Sequence, residues 1–215
     1  MTGAETLQQI LAGGIVAVVR SPHAEQLVGV ARALAQGGVR AIEITMTVPD
    51  AIEVIREVAR DLGGEILLGA GTVLDPETAR SAILAGAEYV VAPTVNLDVI
   101  RVCRRYDKVV MPGAFTPTEV LAAWEAGADI VKVFPADVGG PKYLKALLAP
   151  LPQVRLMPTG GVDLESAAAF LKAGACCLGV GSSLVDKDAV ASGDFARIRD
   201  LAGQFIRIVR ETRGQ

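Results

Sequence analysis

The sequence predicts a (β/α)8 TIM barrel, a single domain over residues 1–215 with a short extra helix at its N-terminus. Three observations predict it. Eight short apolar runs begin 20 to 26 positions apart, about the length of one strand, one helix and two short loops. Segments of helical period and length lie between them. Helix terminators recur as Ala-Gln-Gly-Gly-Val at 35–39 and as Ala-Gly-Ala at 85–87, 126–128 and 173–175. A glycine there is the usual left-handed end of a helix. Gly38, Gly86, Gly127 and Gly174 lie 41 to 48 residues apart, so the repeat spans two strand–helix units. A doubly wound open sheet shares the alternation, but it normally stops at five or six strands and carries a glycine-rich first turn. Here the first turn reads Arg20-Ser21-Pro22.

In order, Ala4–Leu11 reads as the leading helix. The predicted strands are Ile15–Val19, Ala41–Thr45, Ile66–Ala70, Tyr89–Ala92, Val109–Met111, Ile130–Phe134, Val154–Met157 and Leu178–Val180. Helices fill the intervals, among them Ala24–Gln36 and Ala51–Asp61. Asp75-Pro76-Glu77 places a cap before a first-turn proline, and Thr116-Pro117-Thr118-Glu119 is a capping-box pattern.

Composition excludes several function classes. The chain is 51% hydrophobic and 21% charged, which rules out a disordered chain. A net charge of −3 offers no basic face for nucleic acid. The longest uncharged stretch is the 14 residues from Thr6 to Val19, short of the ~20 apolar residues of a membrane span, and no basic leader precedes it. His23 is the one histidine and the three cysteines form no C-x-x-C pair. No metal site, cofactor or disulfide framework is therefore expected, and the cytoplasm is the expected compartment.

In a barrel, function gathers at the C-terminal ends of the strands. Those ends read Arg20, Glu43-Ile44-Thr45, Gly69-Ala70-Gly71-Thr72, Ala92-Pro93-Thr94, Pro112-Gly113, Lys132-Val133-Phe134-Pro135, Pro158-Thr159-Gly160-Gly161 and Gly179-Val180-Gly181-Ser182. Two of these strands carry a charge inside an apolar run. By the two-residue period, Ala41, Glu43 and Thr45 share a face opposite Ile42 and Ile44, while Ile130, Lys132 and Phe134 share one opposite Val131 and Val133. The branched faces would pack on the outer helices, which sends Glu43 and Lys132 into the barrel. Burial lowers a lysine pKa and raises that of a glutamate. A partly neutral lysine is a carbonyl nucleophile able to form a Schiff base, and such a glutamate is a proton shuttle. The competing reading is a structural ion pair between the two.

Thr159-Gly160-Gly161 and Gly179-Val180-Gly181-Ser182 form a second constellation, where backbone N–H groups can approach a phosphate, although the glycines could also serve only tight turns. Arg20 could clamp a carboxylate or be an ordinary solvated side chain. Thr72 follows a turn that brings backbone close to a ligand. His23 reads as a loop residue, and Trp124 and Tyr89 as packing.

Six segments carry a resemblance: Gly-Gly-Val-Arg-Ala-Ile-Glu-Ile-Thr (37–45), Gly-Ala-Gly-Thr-Val (69–73), Met-Pro-Gly (111–113), Lys-Val-Phe-Pro-Ala (132–136), Pro-Thr-Gly-Gly-Val (158–162) and Gly-Ser-Ser-Leu-Val (181–185). In order and content the chain resembles the 2-keto-3-deoxy-6-phosphogluconate / 4-hydroxy-2-oxoglutarate aldolase family of class I aldolases. The resemblance implies Lys132 as the Schiff-base lysine and Glu43 as general acid/base. It implies Thr72 near the substrate carboxylate, Pro93 and Phe134 around the imine, and Thr159, Gly160, Gly161 and Ser182 at the phosphate end. It further implies a phosphorylated 2-keto acid as substrate, no cofactor, a role in the Entner–Doudoroff pathway and a homotrimer. Many members carry an arginine four residues after the glutamate. Here that position is Thr47, and Arg20 is the substitute anchor for the carboxylate. A galactonate-derived isomer as substrate, a phosphosugar epimerase or isomerase on the same barrel, and a non-catalytic phospho-ligand sensor are the rival expectations.

Overall fold

The structure, a computed structural model, describes residues 1–214. The leading helix α1 spans Gly3–Gly13, and its start is fixed locally. The Thr2 hydroxyl accepts the Glu5 N–H while the Glu5 carboxylate accepts the Thr2 N–H, a capping box that satisfies two orphan donors at once. The strands are β1 (Ile15–Val19), β2 (Ala41–Thr45), β3 (Leu67–Gly71), β4 (Tyr89–Val91), β5 (Val109–Met111), β6 (Gly113–Ala114), β7 (Val131–Val133), β8 (Leu156–Pro158) and β9 (Leu178–Val180). Between and after them run α2 (Leu27–Gln36), α3 (Ala51–Leu62), α4 (Pro76–Ala85), α5 (Leu97–Arg105), α6 (Pro117–Glu125), α7 (Gly140–Leu148), α8 (Ala167–Lys172), α9 (Lys187–Ser192) and α10 (Phe195–Arg213).

All strand pairs are parallel. One sheet has the order β5-β4-β3-β2-β1-β9 and a second the order β6-β7-β8. Two links turn them into one barrel. A bridge between Thr159 and Gly179 joins the β8 and β9 sides. At the other seam β5 and β6 are a single barrel strand interrupted at Pro112, which has no N–H to give a ladder. Its carbonyl nonetheless accepts from Lys132 N at 2.9 Å. The barrel thus has the eight expected strands, the fifth in two pieces.

Alternation along the strands divides the interior. Val16, Ala41, Leu67, Tyr89, Val91, Val109, Met111, Ile130, Met157 and Cys177 form a cluster in the lumen, joined by Ile10 of α1. Their strand neighbours Ala17, Ile42, Ile44, Leu68, Val90, Val110, Val131 and Val133 belong to the layer between sheet and helices. Ile10 is fully buried and Gly3 N donates to the Asp107 carboxylate, just before β5, at 3.0 Å. The extra helix therefore caps the N-terminal mouth of the barrel with apolar side chains.

Several boundaries differ from the sequence expectations, each for a local reason. Ile66 bridges to Gly63, and the third strand shifts to Leu67–Gly71 because Gly71 still pairs with Thr45. Strand four ends at Val91 rather than Ala92. Strand six is Val131–Val133, shorter than Ile130–Phe134, ending just ahead of Pro135. Val154 N donates back to Leu151 O, a turn that delays strand seven to Leu156–Pro158. The segment 24–36 is a 3-10 turn at Ala24–Gln26 followed by α2, since Gln26 N reaches back only to His23 O. The expected caps at Asp75 and Thr116 are present. Gly38, Gly86, Gly127 and Gly174 all have left-handed φ. The sulfurs of Cys176 and Cys177 lie 3.8 Å apart and unbridged. Among the described residues no helix is long and apolar enough to cross a membrane.

Candidate active site

Glu43 sits in the middle of β2, in register with Val18 of β1 and Gly69 of β3. Ile42 and Ile44 pack outward, so the pleat turns Glu43 into the lumen. Lys132 occupies the same kind of position on β7, between Gly113 and Met157. Glu43 is 0% exposed and Lys132 1%. Neither carboxylate oxygen of Glu43 has a hydrogen-bond partner. Lys132 and Glu43 make no direct hydrogen bond, although each favours the charged form of the other. The Lys132 ammonium lies 5.1 Å from the centre of the Phe134 ring.

The electrostatics follow from this burial. Desolvation pushes the Glu43 carboxyl above the usual glutamate range, with Lys132 and then Arg20 opposing the rise. Desolvation pushes the Lys132 amine below the usual lysine range, opposed by Glu43 and reinforced by Arg20. An amine shifted toward its neutral form and a carboxyl shifted toward its protonated form are thus buried in one lumen.

Room for the carboxylate comes from glycine. A Cβ on Gly71 would overlap Oε1 of Glu43, and a Cβ on Gly69 would overlap the Tyr89 ring. Both glycines lie on the lumen face of β3.

A cavity of about 250 Å³ opens at the C-terminal mouth. Arg20, Phe134, Thr159, Gly160, Gly161 and Ser182 line it, six of the residues the sequence singled out. Phe134 links it to the reacting pair, because its ring also faces the Lys132 amine. Gly160 and Gly161 have φ of 93° and 70°, conformations open to glycine at little cost. A Cβ on Gly161 would overlap Asp137, and one on Gly179 would overlap the Thr159 hydroxyl. That hydroxyl is buried and unpartnered. Arg20 is exposed at the rim, close enough to influence both Glu43 and Lys132.

Thr72 and Pro93 stand apart from this cavity. Thr72 follows β3 with φ of 57°, a left-handed conformation costly for a branched residue. Pro93 follows β4, and its carbonyl fills the place a Cβ on Gly113 would take. Thr47 is exposed and its hydroxyl lies 2.7 Å from that of Thr45.

One lining residue escaped the sequence reading. Lys187 opens α9 and lines the cavity beside Ser182 and Ser183. The available signal was a cation in the first turn of a helix, where the helix dipole disfavours positive charge. The cavity therefore has two cations, Arg20 and Lys187, and a glycine–serine backbone rim, a combination suited to a substrate with more than one negative charge.

Known proteins resemble this chain in sequence and in fold. The sequence family described as KDPG and KHG aldolase matches residues 7–201. A 2-dehydro-3-deoxy-phosphogluconate aldolase of Treponema pallidum is 37% identical over 196 residues, 91% of this chain and 93% of the relative. A KHG/KDPG aldolase of Escherichia coli is 34% identical over 207 residues, 95% of each. Among solved structures, a native KDPGal structure superposes with a TM-score of 0.87 at 33% identity, covering 94% of this chain and 96% of the other. A KDPG aldolase of Legionella pneumophila, with pyruvate captured as a covalent carbinolamine, gives a TM-score of 0.86 at 26% identity, covering 92% and 96%.

Proposed function

Because the chain belongs to the KDPG and KHG aldolase family, we propose that it is a class I aldolase working as one barrel domain over residues 1–215. In this reading it cleaves 2-keto-3-deoxy-6-phosphogluconate to pyruvate and glyceraldehyde 3-phosphate, and accepts 4-hydroxy-2-oxoglutarate as a smaller substrate. The observation that carries the reading is the pair of unbridged, fully buried ionisable groups, Lys132 and Glu43, below a cation-rimmed cavity.

The chemistry follows from the positions. Neutral Lys132 attacks the C2 carbonyl, and one proton passes from its nitrogen to the carbonyl oxygen to give a carbinolamine. Glu43, as the acid, protonates that hydroxyl so that it leaves as water and a protonated imine forms. The imine draws electrons from the C3–C4 bond. Glu43, now the carboxylate, takes the C4 hydroxyl proton as that bond breaks, releasing glyceraldehyde 3-phosphate and an enamine of pyruvate. The enamine carbon regains a proton from Glu43, and water hydrolyses the imine to free pyruvate and Lys132. Phe134 shields the imine, and Thr72 and Pro93 shape the walls further round the mouth. Arg20 anchors the substrate carboxylate in place of the arginine that Thr47 replaces. Thr159, Gly160, Gly161, Ser182 and Lys187 receive the phosphate.

The galactonate-derived isomer is a second reading, favoured by the likeness to the KDPGal structure; steady-state rates on the two C4 epimers separate them. The finer context of the proposal is a cytoplasmic enzyme of the Entner–Doudoroff pathway. A homotrimer, which the family resemblance implies, also belongs to it; light scattering in solution tests it. The decisive experiment is borohydride reduction in the presence of pyruvate, followed by peptide mass spectrometry. A reduced pyruvyl adduct on Lys132 is expected. Its absence overturns the imine mechanism and favours an epimerase-type proton transfer or a sensor.

A further inference from the structure

Tyr89 is the largest fully buried side chain in the barrel, yet its hydroxyl has no hydrogen-bond partner. Buried phenols usually find one, because an unmade hydrogen bond in a dry interior is costly. A residue needed only for packing would be better served by phenylalanine. The surroundings explain where the hydroxyl points. Glu43, Gly69 and Tyr89 are in register across β2, β3 and β4, with the side chains of Glu43 and Tyr89 both in the lumen. The Tyr89 ring lies over Gly69, and the Glu43 carboxyl lies over Gly71. These are successive lumen-face positions of one strand, about 6.6 Å apart at the usual rise. Two hydrogen bonds of about 2.8 Å through one water span about 5.6 Å. Glu43 itself has two buried oxygens without partners. The two orphaned groups are therefore neighbours over a notch made by two glycines.

We infer that Tyr89 is a positioning residue for Glu43, its hydroxyl donating through one water to the ionised carboxylate and holding it over Gly71. The inference rests on the aldolase reading of the site and adds to it a group outside the reacting pair. Around Glu43 the other ionisable groups are Lys132 on β7 and Arg20 at the end of β1; around Tyr89 they are Glu43 and Cys177, which precedes β9. Lys132 and Arg20 attract the carboxylate by charge, whereas Tyr89 belongs to the lumen cluster that Ile10 of α1 joins. A donor to the charged form of a carboxyl favours that form, so losing it should make Glu43 harder to ionise.

The test is Tyr89→Phe in the full chain. It should fold and melt close to the parent, because it keeps the ring that packs over Gly69. It should also move the acidic limb of the kcat profile upward by about half a unit to one unit and so lower kcat severalfold at pH values on that limb, with KM within about twofold. Infrared difference titration of the Glu43 carboxyl, assigned with Glu43→Gln, gives the same shift without turnover. Coincident profiles and coincident infrared titrations of parent and Tyr89→Phe overturn the inference and leave Tyr89 as packing. If Tyr89→Phe fails to fold, the packing role is the essential one and the inference is likewise overturned. A parent chain that shows neither cleavage nor the Lys132 adduct sinks the aldolase reading instead, and the infrared titration then still decides whether Tyr89 supports Glu43.

Discussion

The Glu43 carboxyl occupies the space that a side chain on Gly71 would fill. Glu43 and Gly71 lie on adjacent strands, and β3 can present its backbone to the carboxylate only where it has no Cβ. Gly71→Ala is therefore predicted to displace Glu43 while leaving Lys132 alone. General acid–base catalysis is typically worth 10² to 10⁴ in rate, so kcat should fall by about 10² or more. Pyruvate trapping on Lys132 should persist at a slower rate. A Gly71→Ala variant with parental kcat would show that Glu43 does not need this position.

The opposite shifts of the reacting pair fix the direction of the pH profile. Attack needs neutral Lys132, whose pKa lies below the usual 10.5, so trapping rises with pH and saturates earlier than an ordinary lysine would allow. Cleavage needs ionised Glu43, whose pKa lies above the usual 4.5, so kcat is lost on acidification sooner than for an ordinary glutamate. The limbs belong to the interacting pair and not to either residue alone. Rapid-quench trapping and kcat from acid to alkaline pH check this; a kcat limb at the ordinary glutamate value contradicts it.

The same burial sets a stability cost. Glu43 has a raised folded pKa, so its contribution is present below the unfolded value and lost as pH rises through the folded one. Lys132 has a lowered folded pKa, so its contribution is present above the unfolded value and lost as pH falls through the folded one. In between, both charged forms weigh against the fold. Replacing them together, as Glu43→Leu with Lys132→Met, should abolish activity and stabilise the protein by about 1–4 kcal/mol. Denaturant titration across the pH range should also show a flatter dependence. A less stable double variant would mean that the charges hold the barrel together.

Much of this was legible in the chain, for a physical reason. A charge inside an apolar strand is costly, so Lys132 in Asp-Ile-Val-Lys-Val and Glu43 in Ala-Ile-Glu-Ile-Thr stand out against their neighbours, and the two-residue period assigns them to the lumen without coordinates. Glycines that end helices are equally visible. What could not be read were effects that span strands. The break of the fifth strand at Pro112 depends on which neighbour each half pairs with. The notch at Gly69 and Gly71 acquires meaning only when Tyr89 and Glu43 are set in register beside β3. Lys187 lies five residues beyond Ser182 along the chain but on the same cavity wall, because the segment after Gly181 turns back, with Leu184 N and Val185 N both donating to Gly181 O.

The two cations at the cavity make separable predictions. Lys187 joins the glycine–serine rim, while Arg20 alone of the two acts on Glu43 and Lys132, in keeping with its proposed role at the keto-acid end. Lys187→Ala should therefore raise KM for the phosphorylated substrate by about tenfold, the equivalent of about 1.4 kcal/mol, and leave KM for 4-hydroxy-2-oxoglutarate unchanged. Arg20→Ala should raise KM for both substrates, since both carry the carboxylate. Added salt should weaken phosphorylated-substrate binding more in the parent than in Lys187→Ala, because an exposed charge is screened. Steady-state kinetics of the two variants on both substrates decide the matter. Equal losses on both substrates for Lys187→Ala would remove that residue from the phosphate end.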